Sequence, residues 1–283
     1  MKQITIISGK GGTGKTVITA SFAALAKNAV LVDCDVDAAD LHLLLKPEIQ
    51  ETHEFRSGVT ARIDKEACTE CGACVEACRF NAIQEFIVDP VSCEGCAVCS
   101  HVCLVNAIRM EENLSGHWFI STTKYGPMIH ARLGIAEENS GKLVSQVRKI
   151  AHKVAEEKRL DWLIVDGPPG IGCPVIASLS GVDLALIVTE PTLSGIHDME
   201  RVADVAAHFT IPTGVVINKY DINLENSDAI QELCDKRNIN VLARLPFSED
   251  VVKAVVQGIP VVEFSKDGIV RQIAELWNKV VAL

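Results

Sequence analysis

Apolar residues in this chain fall into two alternating patterns. Short unbroken runs, such as 3–8 and 29–33, read as buried strands, whereas 16–27 spaces its apolar positions at helical intervals. After residue 113 the alternation resumes. Runs at 118–121, 162–166, 184–189, 214–218 and 241–245 read as strands, and 142–158, 196–208, 228–236 and 269–281 as helices. Apolar strands separated by helices predict an α/β domain on a parallel sheet covered on both faces.

Between about 63 and 110 the pattern gives way to closely spaced cysteines and short turns. The segment 63–83, IDKEACTECGACVEACRFNAI, aligns with 88–108, VDPVSCEGCAVCSHVCLVNAI, at a constant offset of 25. Four cysteines, Asp64 with Asp89, and both NAI ends superimpose, the mark of a duplicated half-unit. The chain is therefore expected to divide into a discontinuous α/β domain, 1–56 and 114–283, and an inserted small α+β domain, 57–113.

Composition narrows the function. At 283 residues, 48% hydrophobic and 23% charged, the chain is ordinary globular material, neither fibrous nor low-complexity. Thirty-seven acidic against 27 basic residues give −10, without the basic footprint of a nucleic-acid binder or a protein held on anionic lipid. No apolar run approaches the roughly 18 residues of a membrane span, and the first run leads straight into a glycine-rich loop, unlike a signal peptide. A cytoplasmic protein with neither nucleic acid nor membrane as partner is the expectation. In a reducing compartment, eight of eleven cysteines packed into 68–103 argue for metal rather than disulfides.

Each half of the repeat reads C-x2-C-x2-C-x3-C: Cys68, Cys71, Cys74, Cys78, then Cys93, Cys96, Cys99, Cys103. Three thiolates so closely spaced can hold three irons of one cubane, with a fourth ligand from the other half. A pair of zinc sites is the alternative, although zinc rarely needs third and fourth cysteines at this spacing. The pattern closely resembles the bacterial-type ferredoxins with two [4Fe–4S] clusters. That resemblance implies one cluster on Cys68, Cys71, Cys74 and Cys103 and another on Cys78, Cys93, Cys96 and Cys99. Arg79 and Leu104 replace the proline that usually follows the last cysteine.

The second signal is SGKGGTGKT, 8–16, which contains G-x4-G-K-T after a strand and before a helix. Residues 11–17 (Gly11, Gly12, Thr13, Gly14, Lys15, Thr16, Val17) are the candidate phosphate cradle. Glycines let backbone N–H groups close on phosphate oxygens, and the following helix N-terminus favours the anion. Lys15 supplies a charge to the β- and γ-phosphates, and Thr16 a hydroxyl to Mg²⁺.

With Lys10, the loop K-G-G-x-G-K-T resembles the deviant Walker A family of MinD, ParA and the nitrogenase iron protein. That family implies a parallel-sheet P-loop NTPase fold and an ATP-dependent homodimer in which Lys10 reaches the partner's nucleotide. VLVDCDVDAADL, 30–41, resembles the family's segment after the second strand, which places Asp35 near the attacking water and Asp33 at Mg²⁺ or its shell. LDWLIVDGPPG, 160–170, ends a strand at Asp166, the Walker B position for Mg²⁺-bound water. Its Pro168-Pro169-Gly170 resembles switch II, with the Gly170 N–H turned to the γ-phosphate. Asn218 resembles the adenine-binding position and Lys219 adjoins it. Asn218, Lys219 and Asp221 also spell the guanine-reading N-K-x-D, but Lys10 and the Pro168-Pro169-Gly170 turn resemble the ATPase family, so GTP is the less favoured nucleotide.

Three weaker features remain. Cys173 lies seven residues after Asp166, where the nitrogenase iron protein has a cluster ligand, and is either a functional thiol or a packing residue. The polar, glycine-containing 125–144 reads either as a flexible segment that could meet a partner or switch II or as an ordinary connecting loop, and His130 within it has no evident catalytic partner. The 269–281 helix reads as core.

The whole chain resembles MinD-superfamily ATPases with an inserted ferredoxin domain, relatives of the Mrp/ApbC carriers that lack the insert. It is expected to be a Mg²⁺-dependent ATPase whose ATP-switched dimer couples nucleotide state to two [4Fe–4S] clusters, passing electrons to a redox or metalloprotein partner. A cofactor-assembly ATPase that works through Cys173, and a redox-sensing positional regulator, are the alternatives.

Overall fold

The first apolar run forms β1 (Lys2–Ser8), and its side chains alternate between two cores, as strand geometry requires. Ile4 and Ile6 join one cluster with Phe22, Leu31, Ile164 and Trp277; Ile7 joins another with Ile187, Val202, Val215 and Ile217. In this computed structural model residues 1–134, 140–266 and 268–283 are described.

From β1 the chain continues through α1 (Lys15–Leu25), β2 (Ala29–Asp33), α2 (Leu41–Leu45) and the 16-residue β3 (Glu48–Ile63). The cysteine segment holds α3 (Ala73–Ala77), β4 (Ile83–Gln84), β5 (Ile87–Val88) and α4 (Val98–His101). There follow β6 (Ile108–Thr123), β7 (Gly126–Leu133), α5 (Ser140–Lys158), β8 (Trp162–Pro169), α6 (Cys173–Leu179), β9 (Leu184–Thr189) and α7 (Leu193–His208). The chain closes with β10 (Thr213–Asn218), α8 (Leu224–Lys236), β11 (Asn240–Leu245), α9 (Glu249–Gln257), α10 (Val261–Phe264) and α11 (Gly268–Ala282).

Nine strands form one sheet in the order β11-β10-β9-β1-β8-β2-β7-β6-β3. Every pairing from β11 to β7 is parallel. β6 and β7 are joined by two residues, a link that only antiparallel neighbours can use. The large parallel-dominated sheet bears out the α/β expectation, with this antiparallel addition at one edge.

The chain divides into two units. One comprises Met1–Thr52, Trp118–Arg132 and Ser140–Leu283; the other comprises His53–His117 with the segment that begins at Leu133. In the first, α11 buries Ile269, Ile273, Leu276, Trp277 and Val280, and Trp277 meets Phe22 and Trp162 at centroid distances of 5.0 and 5.2 Å. Burying such aromatic surface contributes roughly 1.5–3 kcal/mol per side chain. In the second, Ala61, Cys74, Ile83, Cys99 and Ile108 form a small separate core.

Two expectations about order are corrected. Residues 126–133, read as part of a flexible segment, are strand β7, because Met128, Ile129 and Ala131 are buried within the sheet. From Ser140 the same segment is helix α5, and residues 135–139 lie outside the described residues. Strand β3 was invisible to hydrophobic patterning because its first half is exposed on both faces. Among the described residues no helix is long and apolar enough to cross a membrane.

Candidate nucleotide site and cysteine pockets

The loop between β1 and α1 turns on Gly12 and Gly14, with φ of 78° and 95°, values that side-chain-bearing residues rarely adopt. A Cβ on Gly14 would also come within 2.5 Å of Asn218 Nδ2. Nothing lies within 4 Å of where side chains would stand on Gly11 and Gly12, so that part of the loop faces open space. Thr13 is 1% exposed, and its Oγ1 is buried with no hydrogen-bond partner among the described residues. An unpaired buried hydroxyl is costly, and here it lies in a glycine loop at a helix N-terminus, the surroundings of a phosphate ligand.

Two carboxylates stand beside the loop. Asp33, the last residue of β2, and Asp166, within β8, are register partners, and each is 1% exposed. Burial, with the neighbouring Asp166 charge, raises the Asp33 pKa well above the usual range, against bonds from the Asp35 and Leu41 N–H groups at 3.1 and 3.2 Å. Burial pushes Asp166 up to about 6, opposed by the Lys15 charge and by the Thr16 and Thr19 hydroxyls, the latter at 3.0 Å. Asp35 is raised by burial and held down by Lys15. Two buried acids side by side, with a threonine hydroxyl and a lysine, suit a divalent cation on a polyphosphate.

Lys10 lies within its own chain's site. Its Nζ is 3.1 Å from Thr192 Oγ1, 3.4 Å from Ser194 Oγ and 3.6 Å from Glu190 Oε2. Glu190 also pairs with Lys219 at 2.5 Å, so one carboxylate joins the two lysines. Glu190, Thr192 and Thr19 were not singled out from the sequence; their one signal is position, at a strand end and one helical turn past Lys15.

Asn218 ends β10 and donates from Nδ2 to the Thr13 carbonyl at 2.8 Å. Asp221 accepts the Phe247 N–H at 2.7 Å, which commits one of its oxygens to the backbone rather than to a guanine. The Pro168-Pro169-Gly170 segment departs from expectation. β8 runs through Pro169, and the Gly170 N–H donates to the Ser8 carbonyl at 2.9 Å instead of standing free for a phosphate. Strand pairing of Ser8 with Pro169 imposes that contact.

Of the three remaining cysteines, Cys34 and Cys234 are fully buried, and burial drives the Cys34 thiol far up and Cys234 up to about 11. Cys173 opens α6 and is exposed. His130 is paired with Ser121 Oγ at 2.9 Å and stacked on Phe119, a structural role.

The second unit gathers its eight cysteines, none of them in a disulfide, around two pockets. Cys68, Cys71, Cys74 and Cys103 line one; Cys78, Cys93, Cys96 and Cys99 line the other. Left-handed Gly72 (φ 81°) and Ala97 (φ 62°) start α3 and α4 and curl each loop back. Two thiols accept backbone N–H groups, Cys68 from Glu70 at 3.4 Å and Cys103 from Ala107 at 3.3 Å. Burial raises the Cys74 and Cys99 thiols. Among the described residues no three His, Cys, Asp or Glu side chains converge on a single-ion site.

Fold and loop together define a P-loop nucleotide-binding protein. Residues 4–261 match the model of the CobQ/CobB/MinD/ParA nucleotide-binding domain, and the chain belongs to that family, as an ATPase of the MinD/ParA type. It is similar to the uncharacterised protein MJ0578 of Methanocaldococcus jannaschii, 35% identical over 98% of this chain and 96% of that one. It is also 27% identical to the septum site-determining protein MinD of Bacillus subtilis, over 92% and 81% of the two chains. The structure of MinD from Pyrococcus horikoshii complexed with Mg-ADP shares the fold, with a TM-score of 0.60, 19% identity and coverage of 99% and 95%.

Proposed function

We propose that this protein is a Mg²⁺-dependent ATPase whose ATP-bound homodimer couples nucleotide state to two [4Fe–4S] clusters, for electron transfer to a partner protein. The observation that carries the reading is the sorting of the eight cysteines. Each pocket takes three thiols from one half of the repeat and one from the other, Cys103 in the first and Cys78 in the second. The spacing C-x2-C-x2-C-x3-C, with the fourth thiol from the other half of the repeat, fits a cubane better than a zinc ion. Those tetrads would hold the clusters, which supply one-electron chemistry when bound.

On the nucleotide side, the loop N–H groups and Lys15 would bind phosphate, and Thr16, Asp33 and Asp166 would hold Mg²⁺. Asp35 positions the attacking water, and Asn218 ties the base-side loop to the phosphate loop. Lys10 leaves Glu190 and Thr192 to reach the second protomer's phosphates, and Gly170 leaves the Ser8 carbonyl to meet the γ-phosphate. The Mg-ADP in the Pyrococcus MinD structure supports the adenine reading, as does the Asp221 bond to Phe247.

A second reading, a cluster-assembly ATPase, has the exposed position of Cys173 in its favour. Anaerobic purification followed by iron and acid-labile sulfide analysis tests the main proposal. About eight of each per chain are expected. Stoichiometric zinc without labile sulfide would overturn it.

A further inference from the structure

Helix α6 is held at its C-terminal end by side chains of two other elements. The last turn of any helix leaves carbonyls without helical partners, and here they are taken up from outside. Arg148, on α5, donates from Nη1 to the Ala177 carbonyl at 3.1 Å and to the Ser180 carbonyl. Thr5, fully buried in β1, donates from Oγ1 to the Ser178 carbonyl at 2.9 Å. The second arm of the guanidinium, Nη2, donates to Gln3 Oε1 at 2.9 Å. The Gln3 backbone is tied in turn to Asp183, whose carboxylate accepts its N–H at 2.7 Å. One planar fork thus joins α5, the end of α6 and the start of β1, which a lysine ammonium could not do in the same geometry.

The opposite end of α6 has a different character. Gly172 opens the helix without a side-chain cap among the described residues, and Gly172, Cys173 and Ile176 are exposed. Two residues earlier, Gly170 has φ 93° and open space where a side chain would stand, and its N–H is lent to the Ser8 carbonyl. Gly141, in the first turn of α5, lies against this end: a Cβ there would stand 3.0 Å from the Cys173 Cβ. Ser140, just before it, is where the chain re-enters the first unit.

We infer that Arg148 is a positioning residue of the nucleotide switch. With Thr5 it makes the C-terminal end of α6 a fixed pivot, so that release of the Gly170 N–H from Ser8 displaces the Cys173 end and, through Gly141, the first turn of α5. The seven residues of α6 form a stiff rod about 10 Å long. Pinned at one end, such a rod turns a pull at Gly170 into a swing; unpinned, it slides along the sheet. This role rests on the contact of Gly170 with the γ-phosphate proposed above and involves neither tetrad.

Peptide-resolved hydrogen exchange of the full-length protein, with Mg-ADP and with Mg-AMPPNP, tests the pivot. In the wild type the exchange of nucleotide should alter 168–176 and 140–147 and leave 177–183 as it was. Arg148→Met should extend the change into 177–183 and remove it from 140–147. It should also lower kcat about tenfold with the ATP dissociation constant unchanged. Arg148→Lys should restore part of kcat, and Thr5→Val, which keeps the shape and loses the other tie, should show the same pattern more weakly. A merely structural arginine would lower the melting temperature and loosen 177–183 equally with either nucleotide. That outcome, or a wild-type change that includes 177–183, overturns the inference. Protection of 9–16 by AMPPNP with no change at 168–176 overturns it and keeps nucleotide binding. Absence of that protection removes the nucleotide reading and the pivot together.

Discussion

Asn218 holds the phosphate-binding loop through a single hydrogen bond, Nδ2 to the Thr13 carbonyl at 2.8 Å, while its own Oδ1 accepts the Lys219 N–H at 3.1 Å. The side chain thus links the end of β10 to the residue before Gly14, and Gly14 has no room for a Cβ beneath it. Asn218→Ala should raise the ATP dissociation constant about tenfold, as for a lost buried hydrogen bond with its partner left exposed. Asp221→Ala should leave ATP binding and base preference unchanged, because that carboxylate serves the Phe247 N–H. Calorimetric titration with ATP and GTP reads both; a guanine-selective loss in Asp221→Ala would reverse the choice of nucleotide.

Lys10 and Lys15 should separate cleanly. Lys15 is 5% exposed and opens α1, so Lys15→Ala should weaken nucleotide binding itself. Lys10 is engaged by Thr192, Ser194 and Glu190 in its own chain. Lys10→Ala should leave nucleotide binding to the monomer intact and abolish ATP-dependent dimerisation and hydrolysis. Asp35→Ala should slow hydrolysis while the ATP dimer persists. Light scattering with and without ATP, alongside phosphate release, distinguishes the three.

His130 gives a pH dependence with a defined sign. Burial, with the His42 and Arg132 charges, lowers its pKa from the ordinary 6.5 to about 4. Between those values the unfolded chain binds the proton that the folded chain refuses. Stability is therefore full above about pH 6.5 and falls as pH drops toward 4, by up to roughly 3 kcal/mol. His130→Gln, which can keep the bond to Ser121, should flatten this part of the profile in urea titrations between pH 4 and 7.

Much of this was legible in residue spacing. β1, the glycine loop and α1 could be read because fully buried strands carry unbroken apolar runs and the loop chemistry is local. The cysteine sorting was likewise implied by the repeat, since C-x2-C-x2-C places three thiols on one loop and leaves a fourth beyond it. What escaped was governed by tertiary context. β3 has no apolar face over its first half, and β7 mixes its buried Met128 and Ile129 with polar neighbours. The Gly170 bond to Ser8 depends on the register of two strands far apart in sequence, and Glu190 acquires its two lysines only when β9 lies between β1 and β10.

Cys173 distinguishes electron transfer from cluster assembly. It is exposed at the start of α6 and belongs to neither tetrad. Cys173→Ser should retain about eight irons per chain and full ATPase activity. Loss of a transferable cluster to an apo-acceptor in that variant would favour the assembly reading.

The central claim is that nucleotide and clusters share a coupling free energy, which makes their effects reciprocal. Couplings of this kind are typically ~1–3 kcal/mol, about 5–150-fold in affinity. ATP affinity measured on one anaerobic preparation, as isolated and after dithionite reduction, tests it most directly. The account predicts dissociation constants that differ at least fivefold between the two redox states. Equal affinities for ATP and for ADP in both states would contradict it.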